Sequence, residues 1–132
     1  MPKKSEQGGV VTRHLPYNEE AEQALLGSIL LNNRSFETVA AFLRPEHFAV
    51  DVHRKMFSLC ATLINRGERA DPITLRPFLD SDPALAAVGG FRYALELIHP
   101  GAAIIKAIDY GHLIHDLALR RALIAIHQEG LE

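Results

Sequence analysis

Apolar positions along this chain recur at intervals of three and four residues, and no segment alternates apolar and polar residues as a half-buried strand does. The pattern predicts an all-α fold: a compact multi-helix globular domain followed by one long C-terminal helix. The first helix opens at Asn18, whose side chain can accept an orphan backbone N–H, and Glu19, Glu20 and Glu22 put negative charge at the positive end of its macrodipole. From Ala24 to Leu31 only Gly27 and Ser28 interrupt the apolar run. Such a helix is covered on most sides, and Gly27 leaves room for a neighbouring backbone.

Asn32-Asn33-Arg34 forms a turn, and Ser35 is placed to cap a second helix whose Phe36, Val39, Ala40 and Leu43 share a face before Pro45 stops it. Asp51 is placed to cap a third. There Val52, Met56, Leu59, Cys60, Leu63 and Ile64 follow a buried stripe, and Gly67 supplies the left-handed stop. A helix beginning at Pro72 would carry Pro77 in its interior at a cost of about 3 kcal/mol. The predicted start is therefore Thr74, as cap, with Leu75, Phe78 and Leu79 facing inward. Asp82-Pro83 opens a short helix ended by Gly89-Gly90, and Phe91 to Ile98 forms another, stopped by His99-Pro100-Gly101.

The last helix runs from about Ala103 to Gln128, roughly 39 Å. Tyr110, Leu113, Ile114, Leu117 and Ile124 mark one stripe; Leu119, Leu123 and Ile126 add a second apolar face near its end. Two apolar faces call for two partners, one being the domain's own core and the other an outside element or a second copy. The expected organisation is a flexible arm over 1–14, a globular helical subdomain over 15–101 and the long helix over 102–132.

Composition narrows the function classes. Hydrophobic residues make up 48% of the 132 positions, enough for one domain with a sizeable core. A net charge of -2 gives no basic excess for neutralising a duplex, so little direct DNA binding is expected. Arg54-Lys55 and Arg120-Arg121 read as solvated ends of helix faces. The single cysteine, Cys60, excludes an internal disulfide and reads as a small core residue. With no apolar segment approaching a membrane span and no hydrophobic signal region, no membrane association is expected and the compartment is read as the cytoplasm.

Candidate chemistry is thin. Among seven histidines, His112 and His115 stand at helical spacing with Asp116 following, a superficial likeness to metal-dependent phosphohydrolases of the HD type. The set lacks a downstream aspartate, because only sixteen residues follow Asp116 and none is Asp. Gly8-Gly9 and Gly89-Gly90 lack the spacing and the Lys-Ser/Thr pair of a Walker loop, and no serine stands in a Gly-x-Ser-x-Gly context. The sequence predicts no catalytic residue and no metal ligand.

A different likeness is more specific. The succession Pro16-x-Asn18-x-Glu20-Ala21-Glu22-x-Ala24-Leu25-Leu26-Gly27 resembles the opening of bacterial replicative DNA helicases of the DnaB type. The resemblance continues through Leu43-x-Pro45-Glu46-His47-Phe48, His53 with Phe57, Gly67-x-x-x-Asp71, Thr74-Leu75, Val88-Gly89-Gly90-x-x-Tyr93, and Tyr110 with Leu119-Arg120-Arg121. It covers residues 15 to about 128.

The resemblance implies the non-catalytic amino-terminal domain of a hexameric helicase, cut ahead of the RecA-like ATPase. No cofactor is then expected in this chain, with ATP and magnesium belonging to the full-length parent. In that family these domains pair and form a trimer-of-dimers collar, which also docks the carboxy-terminal domain of primase; a helicase loader or initiator is a further partner. The resemblance places Glu20, Tyr93 and Ile124 toward primase, and Leu119, Leu123 and Ile126 in self-association. It makes the long helix the first arm of a hairpin that in the family continues past the position of Glu132. Lys106 stands where the family carries an Asn cap, and Pro77 and His115-Asp116 also depart from its pattern. The competing readings are an HD-like phosphohydrolase and a generic helical adaptor.

Overall fold

Seven α-helices and one 3-10 turn make up the regular structure of the computed structural model, which describes residues 15–98 and 104–130, and no strand occurs among them. The expected arm over 1–14 and the stop at His99-Pro100-Gly101 lie outside the described residues. The helices are α1 (Glu19–Leu31), α2 (Arg34–Val39), α3 (Asp51–Asn65), α4 (Pro72–Ser81), α5 (Pro83–Ala87), α6 (Phe91–Leu97) and α7 (Ile104–Gly130). The 3-10 turn spans Pro45–His47.

Helix α1 is the central element, packing on α3, α6, α7 and α2. Its start follows the sequence expectation: Asn18 Oδ1 accepts from the Ala21 N–H at 2.9 Å. Leu25, Leu26 and Ile29 are fully buried. Gly27 lies against the carbonyl of Leu97 at the end of α6, closer than any side chain would permit. The core continues through Phe36, Phe48 and Phe57, whose rings meet with centroids 5.6 Å (Phe36–Phe57) and 4.9 Å (Phe48–Phe57) apart. Cys60 belongs to it, and burial pushes its thiol up to about 12. Gly67 takes φ +78° beyond α3, the left-handed stop read from the pattern.

The expected starts of three helices are corrected. Ser35 does not cap α2: it is buried inside that helix, and its hydroxyl meets that of Ser28 on α1 at 2.7 Å. Asp51 is the first residue of α3 and not its cap, since the N-cap is Val50 and makes no side-chain cap bond. The donors ahead of α3 are taken up from outside, by the carboxylate of Glu22, which accepts from the N–H groups of Ala49 (2.7 Å) and Val50 (3.3 Å).

Helix α4 starts at Pro72 and not at Thr74. Asp71 Oδ1 accepts from the Thr74 N–H and Thr74 Oγ1 accepts from the Asp71 N–H, both at 2.9 Å, a reciprocal cap that outweighs the interior proline. Pro77 leaves the carbonyl of Ile73 without its helical donor, but Ile73 is 75% exposed and water can serve that carbonyl. Leu75 and Leu79 face inward as expected, while Phe78 is 45% exposed.

Burial works against ionisation of Asp71, but the Thr74 N–H and the Arg69 guanidinium outweigh it and hold the carboxyl below its ordinary value. A carboxyl depressed in the folded state stabilises fully above its unfolded pKa of about 4 and loses that contribution as pH falls through the native value. Asp71→Ala should lower stability by about 1 kcal/mol at neutral pH and by progressively less in acid. Urea denaturation at several pH values checks both halves; a pH-independent loss would rule out the ionised cap.

Candidate functional site

Among the described residues no catalytic constellation is assembled; the candidate surfaces lie on α7 and where α6 meets α1. Helix α7 is 27 residues long, about 40 Å, and packs on α1 and α2 through its first half. Ala107 and Ile114 are buried there, and Gly111 lies against Val39 and Phe42 of the α2 region. Lys106 falls inside the helix, so it does not stand at a cap position.

The histidines of α7 are engaged with rings. His112 stacks on Phe42 with centroids 4.4 Å apart and planes within 1°. His115 meets Phe42 edge-on at 5.8 Å and His47 edge-on at 4.8 Å. Burial, with the neighbouring His115 imidazole adding to it, holds the His47 imidazole below its ordinary value. Among the described residues no group of three or more His, Cys, Asp or Glu is placed to hold a metal ion. These rings pack α7 onto the chain around Phe42 and His47.

Arg121 corrects the view of the Arg120-Arg121 pair as solvated. Its Nη1 donates to the Pro16 carbonyl at 2.9 Å and its Nη2 to the His47 carbonyl at 2.6 Å, so it ties α7 to the chain before α1 and to the 3-10 turn. Arg120 is exposed. Arg54 and Lys55 are likewise engaged: Arg54 Nη1 donates to the Phe48 carbonyl at 3.0 Å, and Lys55 pairs with Asp82 at 3.1 Å.

On either side of Arg121 the helix carries the stripe expected for self-association. Leu119, Leu123 and Ile126 are 51%, 65% and 64% exposed, on one side at i, i+4 and i+7. Ile124 is half-buried, on a different side.

The other two residues assigned to primase share a neighbourhood. Glu20 is exposed in the first turn of α1 and borders a groove with Gln23, Tyr110 and Leu113. Gln23 also donates to the Tyr93 hydroxyl at 3.3 Å, linking that groove to α6. Ile124 stands eleven residues beyond Leu113, about 16 Å further along α7. The structure therefore brings Glu20 and Tyr93 into one region and leaves Ile124 at another.

Tyr93 is more enclosed than a surface aromatic. Its hydroxyl meets His53 Nε2 at 2.7 Å, and His53 Nδ1 meets Glu22 Oε1 at 2.8 Å. Burial raises the Tyr93 hydroxyl above its ordinary value, and the charges of Glu19, Glu22 and Glu96 add to the rise. Sequence reasoning missed Glu22 and His53, which are 1% and 0% exposed. The signal was present in spacing. Each precedes buried residues by three and four positions, Leu25 and Leu26 for Glu22 and Met56 and Phe57 for His53.

Comparison with known proteins decides the family. A family model described as "DnaB-like helicase N terminal domain" matches residues 14–116. The chain belongs to this family. A replicative DNA helicase DnaB of Rickettsia typhi is 42% identical over 119 residues, covering 90% of this chain and 24% of that protein. The corresponding helicase of Pasteurella multocida is 30% identical over 129 residues, covering 98% of this chain and 27% of that protein. The crystal structure of the N-terminal domain of DnaB helicase from Mycobacterium tuberculosis superposes with a TM-score of 0.80 at 30% identity, over 88% of this chain and 84% of that one. The chain thus spans about a quarter of the length of these curated relatives and matches the DnaB N-terminal domain. No described helix of this DnaB-type domain is long and apolar enough to cross a membrane.

Proposed function

We propose that this domain acts by docking and not by chemistry: it joins copies of itself into the collar of a replicative DNA helicase and receives the carboxy-terminal domain of primase, coupling primer synthesis to unwinding in the cytoplasm. ATP and magnesium serve the motor of the parent helicase, and a loader or initiator is a further partner of the collar. The observation that carries this reading is the stripe of Leu119, Leu123 and Ile126 on a helix arm held by Arg121. Single exposed leucines are ordinary, but three aligned on one helix call for apolar cover. A second copy, or the returning arm of a hairpin, supplies it.

Support for primase docking comes from the region of Glu20 and Tyr93. Glu19 and Glu96 are exposed near the half-buried Tyr93, and Glu20 is exposed on the groove that Gln23 links to it. A basic partner face complements that charge. The net charge of -2 fits a protein partner better than a duplex.

Sedimentation at several concentrations, with and without the primase carboxy-terminal domain, tests the proposal. Self-association should fall at least tenfold, by the order expected for a charge at an apolar contact, in Leu123→Glu. Ile124→Glu should weaken primase binding while helicity is retained. A strict monomer at every concentration overturns the self-association face, and absence of any complex with primase leaves the generic adaptor reading.

A further inference from the structure

Three helices contribute one polar group each to a buried chain. Glu22 comes from α1, His53 from α3 and Tyr93 from α6, and only the tyrosine end approaches the surface. The proton placement follows from what each group can offer. Glu22 accepts from Ala49 N–H, Val50 N–H and His53 Nδ1. A carboxylate has no proton to give, so Nδ1 is the donor, and in the neutral ring Nε2 is left as an acceptor. The Tyr93 hydroxyl donates to it at 2.7 Å and accepts from the Gln23 amide at 3.3 Å. Both protons of the chain, on His53 Nδ1 and on the Tyr93 hydroxyl, then have acceptors. The His53 and Tyr93 rings lie nearly parallel, at 5° with centroids 6.1 Å apart.

We infer that Glu22 and His53 are positioning residues for the docking surface: through the Nε2 acceptor they hold the Tyr93 hydroxyl in one place and so set how α6 is presented beside α1. The inference rests on the primase-docking reading above. Apolar residues of equal volume would stabilise this core as well or better, because a buried polar chain loses its hydration. What the polar chain adds is a single arrangement, since with a neutral ring only one tautomer and one hydroxyl direction satisfy all members. Tyr93 then acts from a hydroxyl pinned from inside, and the carboxylate of Glu22 controls a surface it does not reach.

The test is a double-mutant cycle read as affinity for the primase carboxy-terminal domain, with thermal melts to verify folding. Tyr93→Phe keeps the ring and removes the hydroxyl; it should weaken binding about tenfold. Glu22→Gln keeps the volume and one acceptor oxygen, which serves only one of the two backbone N–H groups, and no longer enforces Nδ1 as donor. Its loss should match that of Tyr93→Phe, and the double variant should bind no worse than Tyr93→Phe alone. His53→Gln, whose amide reaches the place of Nε2, should recover binding lost in His53→Leu. Losses at Glu22 and Tyr93 that add in full, or folded Glu22→Gln and His53→Leu variants that bind like the unaltered chain, overturn the positioning role. Failure of the unaltered chain to bind primase is a separate result and overturns the docking reading itself.

Discussion

Gly27→Ala is expected to destabilise the domain by about 3 kcal/mol, the upper end of the cost of forcing a methyl group into a filled site. At an ordinary helix position the same change would stabilise by up to about 1 kcal/mol, because alanine is the better helix former. The sign is reversed here by a backbone contact. A Cβ on Gly27 would fall on the carbonyl oxygen of Leu97 and 2.9 Å from its carbon, and these are main-chain atoms at the end of α6 that no rotamer change can move. Relief requires α6 to withdraw from α1. Because α6 carries Tyr93, the cost reaches the docking surface as well as the core. Denaturant unfolding should give a lower midpoint with an unchanged slope, as for a loss of native packing alone. Equal or greater stability in the alanine variant would mean that the two backbones do not meet.

That contact was legible in the sequence: a glycine amid apolar helix residues leaves room for a backbone, and Leu97 occupies the room. The stripes of α3 and α7, the Asn18 cap and the Gly67 stop were equally open to reading, because periodicity and terminal residues act locally. The misreadings arose where distant parts of the chain supplied the partner. Ser35 looked like a cap until Ser28 took its hydroxyl, and Asp51 was given a cap role that Glu22, twenty-nine residues earlier, fills for the chain ahead of α3. Pro77 argued against an earlier start for α4, yet the Asp71–Thr74 cap and an exposed Ile73 carry the helix through it.

The candidate site divides along the same line. The stripe of Leu119, Leu123 and Ile126 follows from helical spacing, whereas Glu22 was grouped with Glu19 and Glu20 because all three suit a helix N-terminus. Only the fold distinguishes them: Glu19 and Glu20 face solvent, and Glu22 is sealed against His53. The placement of Glu20, Tyr93 and Ile124 on a partner surface came from family resemblance. Periodicity alone gives no reason to choose Tyr93 over Tyr110.

Arg121→Ala should loosen the distal half of α7 and lower stability by about 2 kcal/mol, the scale of charge-assisted hydrogen bonds lost from a partly buried guanidinium. The carbonyls of Pro16 and His47 receive the two arms of one planar fork, and burial holds that guanidinium below its ordinary value without removing its charge. Lysine offers one compact charge in place of the fork. Arg121→Lys should therefore recover only part of the loss. The first half of α7 has its own anchors in Ala107, Gly111 and Ile114, so the effect should be local. Amide hydrogen exchange should quicken from about residue 118 onward and stay slow near Ile114. Because Leu119, Leu123 and Ile126 ride on the loosened segment, self-association should weaken although no apolar residue has changed. Unaltered protection beyond residue 118 would show that the distal helix holds its place by helical propensity alone. The stripe would then need no support from the globular part of the domain.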